Sequence, residues 1–257
     1  MIFKLFLVIF ITRTLVYANY VEEMPMAHPY PFMVSLQKLA SNTVFKYCSG
    51  VIVSESWVLT NSQCVDKTRV DQNEIIVLAG ILNSYNYDYK FAQIRKVVKI
   101  VRRRDENRNG NIILKDDLVL LKMNEPFMLR SNVMVARLGN HLEATGIGEI
   151  VGWGADAFPA DETQSDHLLF AELDVVDQEK CYNYYKDVKE KFCVGNSQQV
   201  ACSGDAGGPF VQYDQNTGEQ IVVGLASVGA VPCTAKPALY TNVAYYKQFI
   251  KNTIKEN

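Results

Sequence analysis

The stretch Cys202-Ser203-Gly204-Asp205-Ala206-Gly207-Gly208-Pro209 decides how this chain is read. Three further segments precede it in order: Trp57-Val58-Leu59-Thr60-Asn61-Ser62-Gln63-Cys64, then Asp116-Asp117-Leu118-Val119-Leu120-Leu121, then Gly152-Trp153-Gly154. Around them lie short β-rich runs separated by turn clusters. They are Phe32 to Gln37, Gly50 to Val53, Trp57 to Leu59, Glu74 to Leu78, Phe91 to Val101 and Leu118 to Met123. Later come Ile147 to Gly152, Leu168 to Val176, Pro209 to Tyr213, Ile221 to Ser227 and Ala238 to Val243. Many short strands at such intervals point to barrels or sandwiches rather than a parallel α/β sheet. The last segment changes period. Val243, Tyr246, Phe249, Ile250 and Ile254 recur every three to four residues with Lys247, Lys251 and Lys255 between them, which predicts an amphipathic helix over 243–257. Its lysines suit the negative end of the helix dipole.

The bulk properties bound the answer. The chain has 257 residues, with 48% apolar and 21% charged residues, an ordinary globular mix. Its opening, Met1-Ile2-Phe3-Lys4 followed by the apolar run Leu5 to Ile11 and then Val16-Tyr17-Ala18, reads as a secretory signal peptide over 1–18. Lys4 and Arg13 bracket a run too short to span a bilayer, and no later stretch is long and apolar enough to do so. Loss of those two cations would move the formal charge from −2 to about −4. That is too near neutral to imply a nucleic-acid partner. Six cysteines fit an oxidising compartment and three disulfides, for which composition alone leaves fifteen pairings open. No cofactor is implied, no metal constellation with credible ligand spacing appears, and no Asn-x-Ser/Thr sequon occurs.

The four quoted segments resemble the chymotrypsin/trypsin-like serine protease family. Residues 202–209 are similar to its nucleophile loop, Gly-Asp-Ser-Gly-Gly-Pro, and residues 57–64 to its histidine segment, Trp-Val-Leu-Thr-Ala-Ala-His-Cys. Residues 116–121 resemble its aspartate segment and residues 152–154 the start of its second barrel. The likeness runs from about Pro31 to the terminal helix. It implies an all-β fold of two six-stranded antiparallel barrels, over about 31–140 and about 141–242, in a trypsin-like domain spanning 19–257. It also selects one cysteine pairing: Cys48 with Cys64, Cys181 with Cys193, and Cys202 with Cys233.

Where the family does chemistry, this sequence departs from it. In such enzymes a serine hydroxyl attacks the carbonyl, a histidine takes its proton, and an aspartate orients the imidazole. The serine position here is Ala206, a methyl group, and the histidine position is Gln63, an amide with no useful basicity near neutral pH. Of the triad only Asp117 matches. Losing the nucleophile or base of such a triad costs about 10⁶-fold in turnover, or roughly 8 kcal/mol. The oxyanion loop, Gly204, Asp205 and Ala206, could alone supply about 10³ to 10⁴-fold over water. The chain's histidines, His28, His141 and His167, match no triad segment and read as surface or turn residues. Ser203 and Ser227 each match a family position other than the nucleophile.

The specificity pocket has changed as well. Val200, six residues before Ala206, stands where a trypsin-like enzyme carries Asp. Val228, between Ser227 and Gly229, replaces the usual Trp shelf, and Ala238 replaces a wall Gly. Together these positions disfavour capture of a basic side chain. Family zymogens are cut before a new amine that pairs with the residue matching Asp205, yet no Lys or Arg lies between Ala18 and Lys38. Signal cleavage would free Asn19, twelve residues before Pro31, as a candidate amine for Asp205. Arg95, Lys96, Lys99, Arg102, Arg103, Arg104 and Arg108 form a basic run leading to Asn109-Gly110-Asn111. It reads first as a solvated loop ending a strand, and second as a docking patch for an acidic partner. The chain also resembles the inactivated serine protease paralogues of parasitic mites, relatives of mite trypsin-like allergens. That likeness implies a secreted protein that acts by binding, with host complement or other plasma proteins as partners. The alternatives are a weak or rewired hydrolase and a cofactor for an active protease. A monomer with neither membrane nor nucleic-acid partner is expected.

Overall fold

The computed structural model describes residues 22–23, 28–40, 43–66, 70–106, 112–154, 165–186, 188–195, 205–228 and 236–256. After the short strand β1 (Glu22–Glu23) come β2 (Met33–Ala40), β3 (Thr43–Ser54), β4 (Trp57–Asn61), β5 (Ile75–Ala79), β6 (Gln93–Glu106) and β7 (Ile112–Met123). The last six close an antiparallel barrel in the order β2-β3-β4-β7-β6-β5. The chain then builds β8 (Ile147–Gly152), β9 (Leu169–Val176), helix α1 (Gln178–Tyr184), β10 (Lys191–Val194), β11 (Pro209–Tyr213), β12 (Gln220–Val228) and β13 (Ala238–Asn242). These strands run β9-β10-β13-β12-β11-β8, and β8 pairs back onto β9, so a second six-stranded barrel closes. β1 lies along β9 beyond the end of β10, through Glu22↔Phe170 and Glu23↔Leu169. The expected two-barrel, all-β architecture is therefore present.

Two faces of burial explain why some strands read as unbroken apolar runs. Along β7, Val119 and Leu121 enter the first barrel's core, while Leu118 and Leu120 join the cluster between the barrels. β4 alternates in the same way: Val58 inward, Trp57 and Leu59 outward onto the second barrel. A strand covered on both sides has no solvent face to mark with polar residues. From the second barrel, Val151, Trp153, Val211, Val222 and Leu225 meet this interbarrel cluster. The other face of that barrel packs Phe192, Phe210 and Tyr240 with ring centroids 5.7 to 5.9 Å apart.

The terminal segment ends as expected in a helix, α2 (Lys247–Glu256), entered through one 3₁₀ turn at Val243–Tyr246. Asn242 caps that turn by accepting the Ala244 N–H at 2.9 Å. Val243, Tyr246 and Ile250 drop into the interbarrel cluster, so the helix closes the seam. At the other end of the chain, the Tyr30 hydroxyl donates to Glu149 of β8, which also accepts the Tyr213 hydroxyl at 2.8 Å.

Several features differ from the sequence reading. β3 begins at Thr43, seven residues before Gly50, and α1, β1 and the four-residue β10 had no expected counterpart. The basic stretch expected to be a loop is largely hairpin: β6 and β7 extend through Arg104↔Leu114 and Glu106↔Ile112. Two of the expected disulfides are present, Cys48–Cys64 and Cys181–Cys193. Cys202–Cys233, the signal segment and Asn19 lie outside the described residues.

Candidate functional site

The three triad-like positions converge on one point of β12, the Ala226–Ser227 step. Gln63 follows β4 in the 3₁₀ turn Ser62–Val65, whose start is capped by Asn61 accepting the Gln63 N–H at 3.0 Å. Its side-chain amide donates to the Ser227 carbonyl. Ala206 sits in the turn before β11, where the next residue, Gly207, donates its N–H to the Ala226 carbonyl at 3.0 Å. Asp117 comes from β7 and faces the Ser227 hydroxyl at 3.5 Å. Segments far apart in the chain thus meet at one place between the barrels.

The Ala206 turn is pressed against the first barrel. Its carbonyl accepts the Ser49 N–H at 2.8 Å, and its methyl packs against the first barrel's core. The approach is so close that Gly207 has no substitute: its φ is +78°, and a Cβ there would stand 2.2 Å from the Ser49 carbonyl oxygen. The Thr60 hydroxyl completes this corner by donating to the same Ser49 oxygen at 2.7 Å.

Asp205 points away from Ala206, toward Gly152-Trp153-Gly154. A Cβ on Gly152 or Gly154 would come within 2.3 Å of its carboxylate oxygens, which accounts for the glycine on each side of Trp153. The Gly154 N–H donates to Asp205 Oδ1 at 3.0 Å. The carbonyl of the same peptide group, that of Trp153, accepts from the Lys46 ammonium at 2.7 Å. Cation and carboxylate therefore hold opposite ends of one peptide dipole. Lys46, which also donates to the Ser165 carbonyl, is only 5% exposed. Burial pulls its pKa down to about 8, against the opposing pull of Asp205 and Asp166. Sequence reasoning missed this residue. Its only signal was a lysine two residues before Cys48 in what becomes a barrel strand.

Asp117 carries contacts that an imidazole-orienting aspartate would not need. Lys191 Nζ lies 2.5 Å from its Oδ2, which also accepts the Thr241 hydroxyl at 3.1 Å. Lys191 and Thr241 are direct cross-strand partners on β10 and β13, so both side chains leave the same face of that sheet.

The remaining sequence candidates are spread out. Ala238 is 1% exposed within the second barrel's core. Val228 pairs in register with Leu239, and its side chain is outside the described residues, as are Val200, Gly204 and Gly229. His167 is exposed, with Nε2 3.3 Å from the Asn83 amide. His141 is exposed, and Asn242 donates to its carbonyl at 3.1 Å. His28 is half-buried, and burial lowers its pKa against the pull of the Gly80 carbonyl. Of the basic run, Arg95 spends its guanidinium on the Glu125 and Pro126 carbonyls, and Arg103 pairs with Glu190 at 2.7 Å. Arg102 donates to the Val65 carbonyl at 3.1 Å. Those three arginines serve the fold, while Lys96 and Lys99 remain exposed.

A second feature missed in the sequence is the alternation Tyr85-Asn86-Tyr87-Asp88-Tyr89-Lys90-Phe91. It resembles strand patterning but forms a braced loop, with Asn83 Oδ1 accepting the Tyr85 N–H at 2.9 Å and Asp88 Oδ1 the Lys90 N–H at 2.8 Å. Tyr85, Tyr89 and Phe91 stand exposed on it.

Comparison with known proteins agrees with this geometry. The family profile described as Trypsin matches residues 21–250. Human (Homo sapiens) kallikrein-7 is 31% identical over 235 residues, covering 89% of this chain and 84% of its own. Trypsin epsilon of Drosophila erecta is 28% identical over 237 residues, covering 90% and 84%, and human putative trypsin-6 is 30% identical, covering 88% and 85%.

Proposed function

Because the chain belongs to the trypsin family of chymotrypsin-like serine proteases, we propose that it is a catalytically inactive member that acts by binding proteins. One observation carries this reading: Ala206 and Gln63 occupy the positions that the family resemblance assigns to the nucleophile and the base, and the fold brings both segments to the Ala226–Ser227 step. A methyl group has no lone pair to attack a carbonyl, and a carboxamide cannot take up a proton near neutral pH. The altered pocket positions Val200, Val228 and Ala238 support the same conclusion.

Binding is the use such a scaffold retains. The braced loop over residues 82–92 presents Tyr85, Tyr89 and Phe91 with little flexibility to lose on contact, the property that makes tyrosine a strong interface residue. The signal-like segment, the cysteine usage and the disulfides support an extracellular protein. The resemblance to inactivated mite protease paralogues, read from the sequence alone, motivates a role in interfering with host complement or a related proteolytic cascade. Retention of plasma proteins by the immobilised mature domain tests this. Specific capture of a complement or other cascade component is the expected result, and a column that retains no plasma protein above a denatured control removes the role.

A further inference from the structure

We propose that Lys191 is the resident partner of Asp117 and has taken over the carboxylate that would otherwise orient a general base. The inference rests on the reading of the cleft as inactive and adds a third lesion to it, one invisible in the triad motifs. Three observations carry it. Lys191 Nζ is 2.5 Å from Asp117 Oδ2, and the pair is mostly shielded, with side-chain exposures of 19% and 26%. Thr241, the cross-strand partner of Lys191, donates to the same oxygen, while Ser227 faces the other. Gln63 meanwhile directs its amide to the Ser227 carbonyl.

In a working triad the aspartate's charge stabilises the imidazolium that forms as the histidine takes the serine's proton. An ammonium in contact with that carboxylate cancels much of this field, because close opposite charges shift a neighbouring titration by about 1–3 units. The same tie has a structural role. Glu190, one residue before Lys191, pairs with Arg103 of β6, whose guanidinium lies 4.1 Å from the centre of the Tyr246 ring. Two adjacent residues of the second barrel thereby grip β6 and β7 of the first. Among the described residues, the charged and titratable groups grouped with Asp117 are Lys191, Glu190, Arg103 and Tyr246, whose hydroxyl burial holds protonated.

The test places an imidazole in the cleft with Gln63→His and follows its titration by NMR, with and without Lys191→Met. His28, His141 and His167 serve as internal references. The imidazole is expected to titrate at least about one unit lower, a tenfold weaker affinity for the proton, while Lys191 is present. Lys191→Arg, which keeps the charge, should leave the midpoint low. Should Lys191→Met not fold, Lys191→Gln removes the charge while keeping a hydrogen-bonding end. Identical midpoints with and without the lysine's charge would overturn the proposal. On the unaltered protein, acylation of Lys191 by an N-hydroxysuccinimide ester should be slower than that of exposed Lys251, because the ammonium is shielded and held by Asp117, and Asp117→Asn should raise the Lys191 rate. Equal rates before and after Asp117→Asn would also overturn it. Peptide turnover by the unaltered protein would refute the inactive reading yet leave the ion pair standing, so the two ideas fail separately.

Discussion

At Ala206 this chain differs from the serine of the family's nucleophile loop by a single oxygen atom, and at Gln63 from the histidine of its matching segment by the difference between an amide and an imidazole. Restoring both groups with Ala206→Ser and Gln63→His is expected to give no turnover of a peptide library, because the pocket positions have changed and Asp117 is committed to Lys191. Measurable cleavage by that double variant would contradict this. Gly207 offers a test of packing. With φ at +78° and a Ser49 oxygen 2.2 Å from any added Cβ, Gly207→Ala should lower stability by about 3 kcal/mol or more in denaturant unfolding. Lys46 supplies a pH signature. It ionises near 8 in the folded protein against 10.5 when unfolded. Between those values the unfolded chain therefore holds more protons, and stability rises with pH. Above pH 10 buried Tyr30, Tyr47, Tyr240 and Tyr246 resist ionisation while their unfolded counterparts lose protons, so the slope turns downward. Thermal unfolding in buffers from pH 8 to 10 should show the rise, and Lys46→Met should flatten it.

Among the elements, the β6–β7 hairpin departs most from its sequence. Its arginines read as a solvated loop because nothing in their spacing reveals what lies opposite. Only the closed fold brings Glu190 and the Tyr246 ring to Arg103, and the Val65 carbonyl to Arg102. Arg103→Ala should therefore cost about 1–2 kcal/mol, and a double-mutant cycle with Glu190→Gln should return a coupling well above that of an exposed pair. Additive effects would show the contact to be idle. β10 was illegible for a related reason: four residues, Lys191 to Val194, are too few for any period to emerge. The apolar runs Trp57 to Leu59 of β4 and Leu118 to Leu121 of β7 were legible because both of their faces are buried.

For the whole molecule, four separated segments, through the family they resemble, were enough to anticipate two barrels and the two described disulfides, because each segment is a point where the barrels meet. The closing helix was legible in its own apolar period. The Gly152-Trp153-Gly154 motif wraps the Asp205 carboxylate, and Gly207 presses on Ser49. Such close contacts tie sequence to fold independently of catalysis. Side chains that act across the cleft, Lys46 and Lys191, carry no comparable signature, since a lysine's partner is set by tertiary placement alone. Exposure of the purified protein to a fluorophosphonate, followed by intact-mass measurement, is the most direct trial of the account. An unchanged mass is predicted, since no activated hydroxyl stands at residue 206. A stoichiometric adduct on any residue of the cleft would contradict it.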